Sequence, residues 1–210
     1  MYNLPHFKEK DEQVVVDFIK AHPFGMLIGC SNDKSYATQI PFLFEEKNGK
    51  IILLGHMMRK QDHQLAFEKN PDVLIVFTGP HTYVSASWYD NPQQASTWNY
   101  MSVHARGTIR FGDEALLVDA LKKLTLHYEN DNPHSPTVFD NLPEDYRNRM
   151  MKSIVAFEIE VHSIENVFKL SQNRDEKSFH HIIDKLSVAD DDAIRIAEEM
   201  IKRKEQLFGQ

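Results

Sequence analysis

The sequence predicts a mainly β domain: a closed or nearly closed antiparallel barrel with peripheral helices. Three observations predict it. Short apolar runs follow one another between turn signals too brief to hold crossover helices. Helical periodicity is confined to the opening, the middle and the end of the chain. No GxGxxG or GxxxxGK[ST] turn occurs, and strands and helices do not alternate regularly, which argues against a doubly wound sheet.

The elements follow in order. Val14, Val15, Phe18 and Ile19 recur at helical spacing until Pro23 stops the pattern. Phe24–Cys30 reads as a strand, Ser31–Ser35 as a turn, and Tyr36–Phe44 as a second strand whose Pro41 marks an edge or bulge. Lys47-Asn48-Gly49-Lys50 is a hairpin turn leading into strand Ile51–His56. Met58–Asn70 carries one short helix, ended by Pro71. Val73–Thr78 and Thr82–Trp88 read as two strands broken at Gly79-Pro80, followed by a loop with Asp90, Asn91 and Pro92. Met101–Phe111 is a long strand. Asp113 caps a helix with Leu116, Leu117, Ala120, Leu121 and Leu124 on one face. Asn130–Pro136 is a loop and Pro143–Met151 a short helix. Ile154–Val161 alternates as a strand, with Val167–Ser171 continuing it after a turn. Asp190–Phe208 reads as a final helix.

Composition narrows the function. The 210 residues carry a net charge of −7. That balance disfavours direct DNA binding, which needs clustered cations to neutralise phosphates. The longest apolar runs are far too short to span a bilayer, and the N-terminus lacks a secretory pattern. A single cysteine, Cys30, leaves no internal disulfide and no zinc-type cluster. The expected compartment is the cytoplasm. Cys30 falls in an apolar strand and reads as a buried, inert thiol.

Three stretches carry candidate chemistry. Arg59-Lys60 follows a strand and precedes a short helix. Exposed helical N–H groups with an Arg fork and a Lys point charge suit a phosphate. The same pair also reads as two solvated cations. Gly55 would permit close approach of a ligand, and His56 and His63 flank the pair as hydrogen-bonding groups for an anion. Thr97-Trp98-Asn99-Tyr100, running on through Ser102, suits stacking on a planar ring, or else packs as an aromatic corner. Lys169, Ser171 and Asn173 share one face if the chain is extended, lining a pocket or forming an exposed edge. Metal sites are not indicated: His180-His181 are adjacent and cannot share a helix face, and there is no HExxH. No acid or base stands out as catalytic.

Several stretches together resemble the PaiB-like family, described as FMN-binding negative transcriptional regulators. They are Ala21-His22-Pro23-Phe24, Leu54-Gly55-His56, Gly79-Pro80-His81-Thr82-Tyr83-Val84-Ser85, Thr97-Trp98-Asn99-Tyr100, Val103-His104-Ala105-Arg106-Gly107 and Phe168-Lys169-Leu170-Ser171-Gln172-Asn173. The family looks like a branch of the flavin-binding split barrels, which include pyridoxamine-phosphate oxidases. The resemblance implies an FMN-binding split β-barrel over residues 1–174, and a C-terminal helical extension over 175–210 packed on it or on a partner subunit. It implies FMN held between the subunits of a homodimer. Leu54, Gly55, His56, Arg59, Lys60 and His63 would lie on one side, with Arg59-Lys60 on the phosphate. Trp98, Asn99, Ser102, Lys169, Ser171, Gln172 and Asn173 would lie on the other. Gln61-Asp62 stands where many members have Asn-Pro, and Ser171 and Asn173 replace more basic groups of the oxidases. The implied function is a flavin-dependent oxidoreductase or a flavin-linked negative regulator of transcription. The alternative is a dimeric regulatory module that does not retain FMN.

Overall fold

The computed structural model describes residues 1–91 and 93–209; Pro92, expected in a loop, lies outside them. The chain runs α1 (Glu12–Ala21), β1 (Phe24–Ser31), β2 (Lys34–Pro41), β3 (Leu43–Lys47), β4 (Lys50–Met58), α2 (Asp62–Lys69), β5 (Asp72–Val84) and β6 (Thr97–Phe111). It continues through α3 (Glu114–Tyr128), α4 (Glu144–Met151), β7 (Ile154–Lys169), α5 (Glu176–Leu186) and α6 (Asp191–Phe208). The seven strands form one sheet in the order β2-β1-β5-β6-β7-β4-β3. Contacts divide the chain into two compact units. The first holds Met1–Phe18, Thr78–Val103 and Glu165–Gln210; the second holds Ile19–Phe77 and His104–Ile164. No helix among the described residues is long and apolar enough to cross a membrane.

The second unit is the barrel. β2 and β3 stand at opposite ends of the sheet order, yet only Phe42 separates them. A flat seven-strand sheet would hold those ends roughly 28 Å apart, while two Cα steps reach at most about 7 Å. The sheet therefore rolls, and the order stays open between β2 and β3, as a split barrel requires. Tyr36–Phe44 is thus not one strand: Pro41 ends β2, and the chain crosses to the other end of the order. The Phe42 N–H donates to Pro23 O at 2.8 Å. Its ring, 3% exposed, meets Phe77 and Phe157 edge-on at 5.7 and 6.1 Å. Leu53, Ile75, Phe77, Phe157 and Ile159 are fully buried.

β4 is covered on both faces, which explains its unbroken apolar run. Leu54 packs with Ala156 of β7 and with Leu117 and Ala120 of α3. Asp113 caps α3 as expected, its carboxylate accepting from the Leu116 N–H at 3.0 Å. The hairpin between β3 and β4 uses left-handed Asn48 (φ 53°) and Gly49 (φ 73°), the geometry an Asn-Gly turn favours. Glu45 of β3 ties the sheet to α3: Lys123 Nζ lies 2.7 Å and Lys47 Nζ 2.8 Å from its carboxylate.

The first unit gathers the N-terminal arm, the far ends of the long strands, and α5 with α6. Glu9 pins the arm: its N–H donates to Asn166 Oδ1 at 2.8 Å, and Asn166 Nδ2 donates back to Glu9 O at 3.0 Å. Arg203 of α6 donates to the Glu9 carboxylate at 2.9 Å. Phe179 and Phe208 meet at 5.2 Å across the two C-terminal helices. Asp175 and Asp190 cap those helices by accepting from Ser178 and Ala193 N–H groups.

Besides Tyr36–Phe44, four sequence expectations change. β5 does not break at Gly79-Pro80. Its buried positions are Val73, Ile75 and Phe77, then Pro80, Thr82 and Val84, so the alternation slips by one residue there. β1 pairs only with Val73–Val76 of this strand, so a residue without an N–H is tolerated farther along. β6 begins at Thr97, four residues earlier than expected. β7 runs unbroken through Val161–Val167, where His162, Ser163 and Glu165 are exposed and hide the alternation. Cys30 is exposed, its Sγ 3.6 Å from Ser35 Oγ, and is not a buried thiol. The helix α5 was not separately resolved in the sequence.

Two tests follow from the barrel. Phe42→Ala is expected to cost about 3–5 kcal/mol in denaturant unfolding, because it empties the centre of the closure. Burial alone would raise the Glu45 pKa, but hydrogen bonds and charge from Lys123 and Lys47 outweigh it and hold the pKa below the usual carboxylate value. A depressed folded pKa contributes stability above the unfolded pKa that is lost as pH falls through the folded one. The stability gap between wild type and Glu45→Gln is therefore expected to close as thermal melts move from about pH 7 to about pH 3. A gap that stays constant would remove Glu45 from the acid response.

Candidate flavin site

Two clusters of predicted site residues form, one in each unit. The first is built on the end of β4. The Arg59 N–H donates to Ser153 O at 2.9 Å, which anchors the exit of the strand. Lys60 then takes φ 62°, a left-handed conformation that costs a non-glycine residue about 1–2 kcal/mol. Its N–H donates to Oε1 of the buried Gln64 at 2.7 Å, so the turn is held by its own helix. Both cationic side chains are exposed. Neither has a hydrogen-bond or ion-pair partner among the described residues.

The neighbours of this turn are arranged around it. The Asp62 carboxylate accepts from the His63 N–H at 2.7 Å and lies 3.4 Å from His63 Nδ1. It is thus engaged by its own helix rather than by Arg59 or Lys60. The His63 ring lies 6.2 Å from Phe67. Burial lowers the His56 pKa and favours the neutral imidazole. Leu54 points its side chain into the core. At Gly55, an added Cβ would fall 2.7 Å from the Phe157 ring, so packing across to β7 alone requires the glycine. A fork and a point charge, both without a side-chain partner among the described residues, at a strand-to-helix turn fit a phosphate.

The second cluster lies where β6 begins and β7 ends. Lys169 Nζ donates to Trp98 O at 2.9 Å and to Thr97 Oγ1. Burial, with the nearby charge of Arg174, lowers its pKa. β7 ends at Lys169, and Ser171 has φ 62°, so the expected extended face of Lys169, Ser171 and Asn173 does not form. Ser171 instead donates to Asn99 Oδ1 at 3.1 Å, and Asn99 Nδ2 donates to Met200 Sδ at 3.7 Å. Asn99 and Ser171 are 0% and 1% exposed, which places their polar groups inside the unit. Gln172 closes the turn by accepting from the Leu170 N–H at 2.7 Å. Asn173 is exposed and Ser102 buried.

Sequence reasoning passed over two features here. Arg174 lies over the Tyr89 ring at 4.1 Å and donates to Gln94 Oε1. His81, Tyr83 and Trp98 share an exposed face, with His81 and Tyr83 brought to one side by the slip in β5. The Gly79-Pro80 dipeptide was the available signal, since it marks a bulge as readily as a break.

A rolled sheet with one open seam, peripheral helices and a basic strand-to-helix turn defines a split barrel of the flavin-binding type. Solved structures agree on the fold. The FAD and heme binding protein of Mycobacterium smegmatis superposes with a TM-score of 0.58 at 14% identity, covering 78% of this chain and 73% of that one. The flavocytochrome Anf3 of Azotobacter vinelandii gives a TM-score of 0.55 at 14% identity, covering 83% and 75%. The family model described as "Putative FMN-binding domain" matches residues 1–163. The protease synthase and sporulation protein PAI 2 of Bacillus subtilis is 32% identical over 186 residues, 89% of each chain. An uncharacterized protein of Emericella nidulans is 25% identical over 82% of this chain and 84% of its own. This chain therefore belongs to the FMN-binding family of PaiB-like split barrels, and FMN is the cofactor that membership assigns to it.

Asn99→Leu is expected to destabilise the chain by about 1–3 kcal/mol, because it leaves the buried Ser171 hydroxyl without its acceptor. Chemical denaturation reads this directly; a change within about 0.5 kcal/mol would contradict the assigned bond.

Proposed function

We propose that this protein is a cytoplasmic, homodimeric FMN-binding protein in which Arg59 and Lys60 hold the flavin phosphate. The supporting observation is the pair itself: two exposed side-chain cations without a partner among the described residues, presented by a left-handed Lys60 just before α2. The ring system would rest near Trp98 and Lys169 of a partner subunit, giving two equivalent sites. Bound FMN supplies redox chemistry, while the protein supplies placement and electrostatics. His56, kept neutral by burial, offers hydrogen bonding without adding charge.

The role that follows is flavin-linked regulation in which the chain does not itself grip DNA, since its net charge of −7 opposes phosphate contacts. Oxidoreductase activity is the second reading. Lys169 favours it, because a partly buried cation is suited to stabilising negative charge on a reduced ring.

FMN titration followed by flavin fluorescence tests the reading. Saturable binding is expected, weakened at least about tenfold by Arg59→Ala and less by Lys60→Ala, with a two-fold mass by light scattering. Saturable binding that Arg59→Ala and Lys60→Ala leave unchanged would dismiss the phosphate role. Absence of binding would favour the module that does not retain FMN.

A further inference from the structure

The face formed by His81, Tyr83 and Trp98 is not used by the phosphate turn. Trp98 is 53% and Tyr83 49% exposed, unusual for rings of this size grouped together. Their centroids lie 6.1 Å apart at 69°, so the two exposed rings stand nearly perpendicular and make a corner. His81 is stacked with Trp98, the ring centroids 6.1 Å apart and the planes inclined at 30°. Asp192, in the first turn of α6, stands beside His81, its Oδ2 3.5 Å from His81 Nδ1. A carboxylate thus stands beside one ring of the group, on a chain that is acidic overall.

The other aromatic faces supply a contrast. The protein lays its own cations over Tyr89, Phe139, Tyr146 and Phe168, at 4.1 to 5.6 Å from the ring centroids. Among the described residues no Lys or Arg covers Trp98 or Tyr83 in this way. The exposed Trp98 and Tyr83 rings are left without such a cation among the described residues.

We propose that this corner is a binding site for an alkylated ammonium group. Aromatic faces attract a cation within about 6 Å of their centroids, and a quaternary or methylated ammonium is favoured because its desolvation is cheap. Asp192 supplies the counter-charge. A neutral ligand of the same shape would gain the contacts but not the charge terms, which is the source of selectivity. The inference goes beyond the flavin reading and shares only Trp98 with it.

Choline is the probe, and its neutral carbon isostere, dimethylbutanol, is the control. Both are titrated into the full chain while the indole N–H signals of Trp98 and Trp88 are followed by NMR; Trp98→Leu assigns the pair, and Trp88 serves as an internal reference. Choline is expected to move the Trp98 signal saturably, with the isostere at least several-fold weaker. Asp192→Asn, a surface change in a helix first turn, is expected to weaken choline several-fold and leave the isostere unchanged. Tyr83→Leu is expected to weaken choline as well. Equal binding of choline and isostere, unchanged choline binding in Asp192→Asn, or a shift that never saturates would each overturn the proposal. FMN affinity measured on the same samples reports the flavin reading separately.

Discussion

Phe42 joins two strands that the sheet order places farthest apart. A single residue cannot bridge a flat sheet, so the covalent chain itself enforces the roll. The aromatic ring then fills the space that rolling creates, against Phe77 and Phe157. Every later feature of the barrel depends on this. β4 acquires an inner face against the aromatic core and an outer face against α3, and with both sides committed its exit point is fixed. The turn at Arg59-Lys60 is therefore delivered by a strand that has no freedom to shift register. A shift of one residue would drive Leu53 and Leu54 onto the wrong faces.

The elements legible in the sequence are those whose determinants are local. The Asp113 cap, the Asn48-Gly49 turn and the periodicity of α3 and α6 need only neighbours within a few residues. What the sequence concealed depends on partners far along the chain. Tyr36–Phe44 looks like one strand because Pro41 and Phe42 are compatible with extension; only the destination of β3 separates them. The middle of β7 looks like a turn because its residues face water, while reciprocal bonds between Asn166 and Glu9 belong to the other end of the chain.

The candidate site divides in the same way. Arg59-Lys60 was legible because exposed cations at a strand end announce themselves through type and position. The Lys169–Asn173 stretch was less so. Period-two reasoning assumes extension, and a left-handed Ser171 cannot be foreseen from a serine. Asn99 shows the opposite limit: a residue can belong to a site-bearing motif and still act by holding it together, through Ser171 and Met200. Gly55 is similar, since the Phe157 ring accounts for it through a contact made 102 positions away.

The slip in β5 has a consequence for how this strand can vary. Upstream of Gly79 the core reads the odd positions; downstream it reads the even ones. One segment thus carries two phases of the same pattern, separated by a dipeptide. Were the same residues to run through Gly79-Pro80 as one regular strand, without the slip, both halves would keep the upstream phase. His81 and Tyr83 would turn inward, and Thr82 and Val84 outward, without any of the four being substituted. The exposed aromatic face is encoded less by its own residues than by the spacing that precedes them.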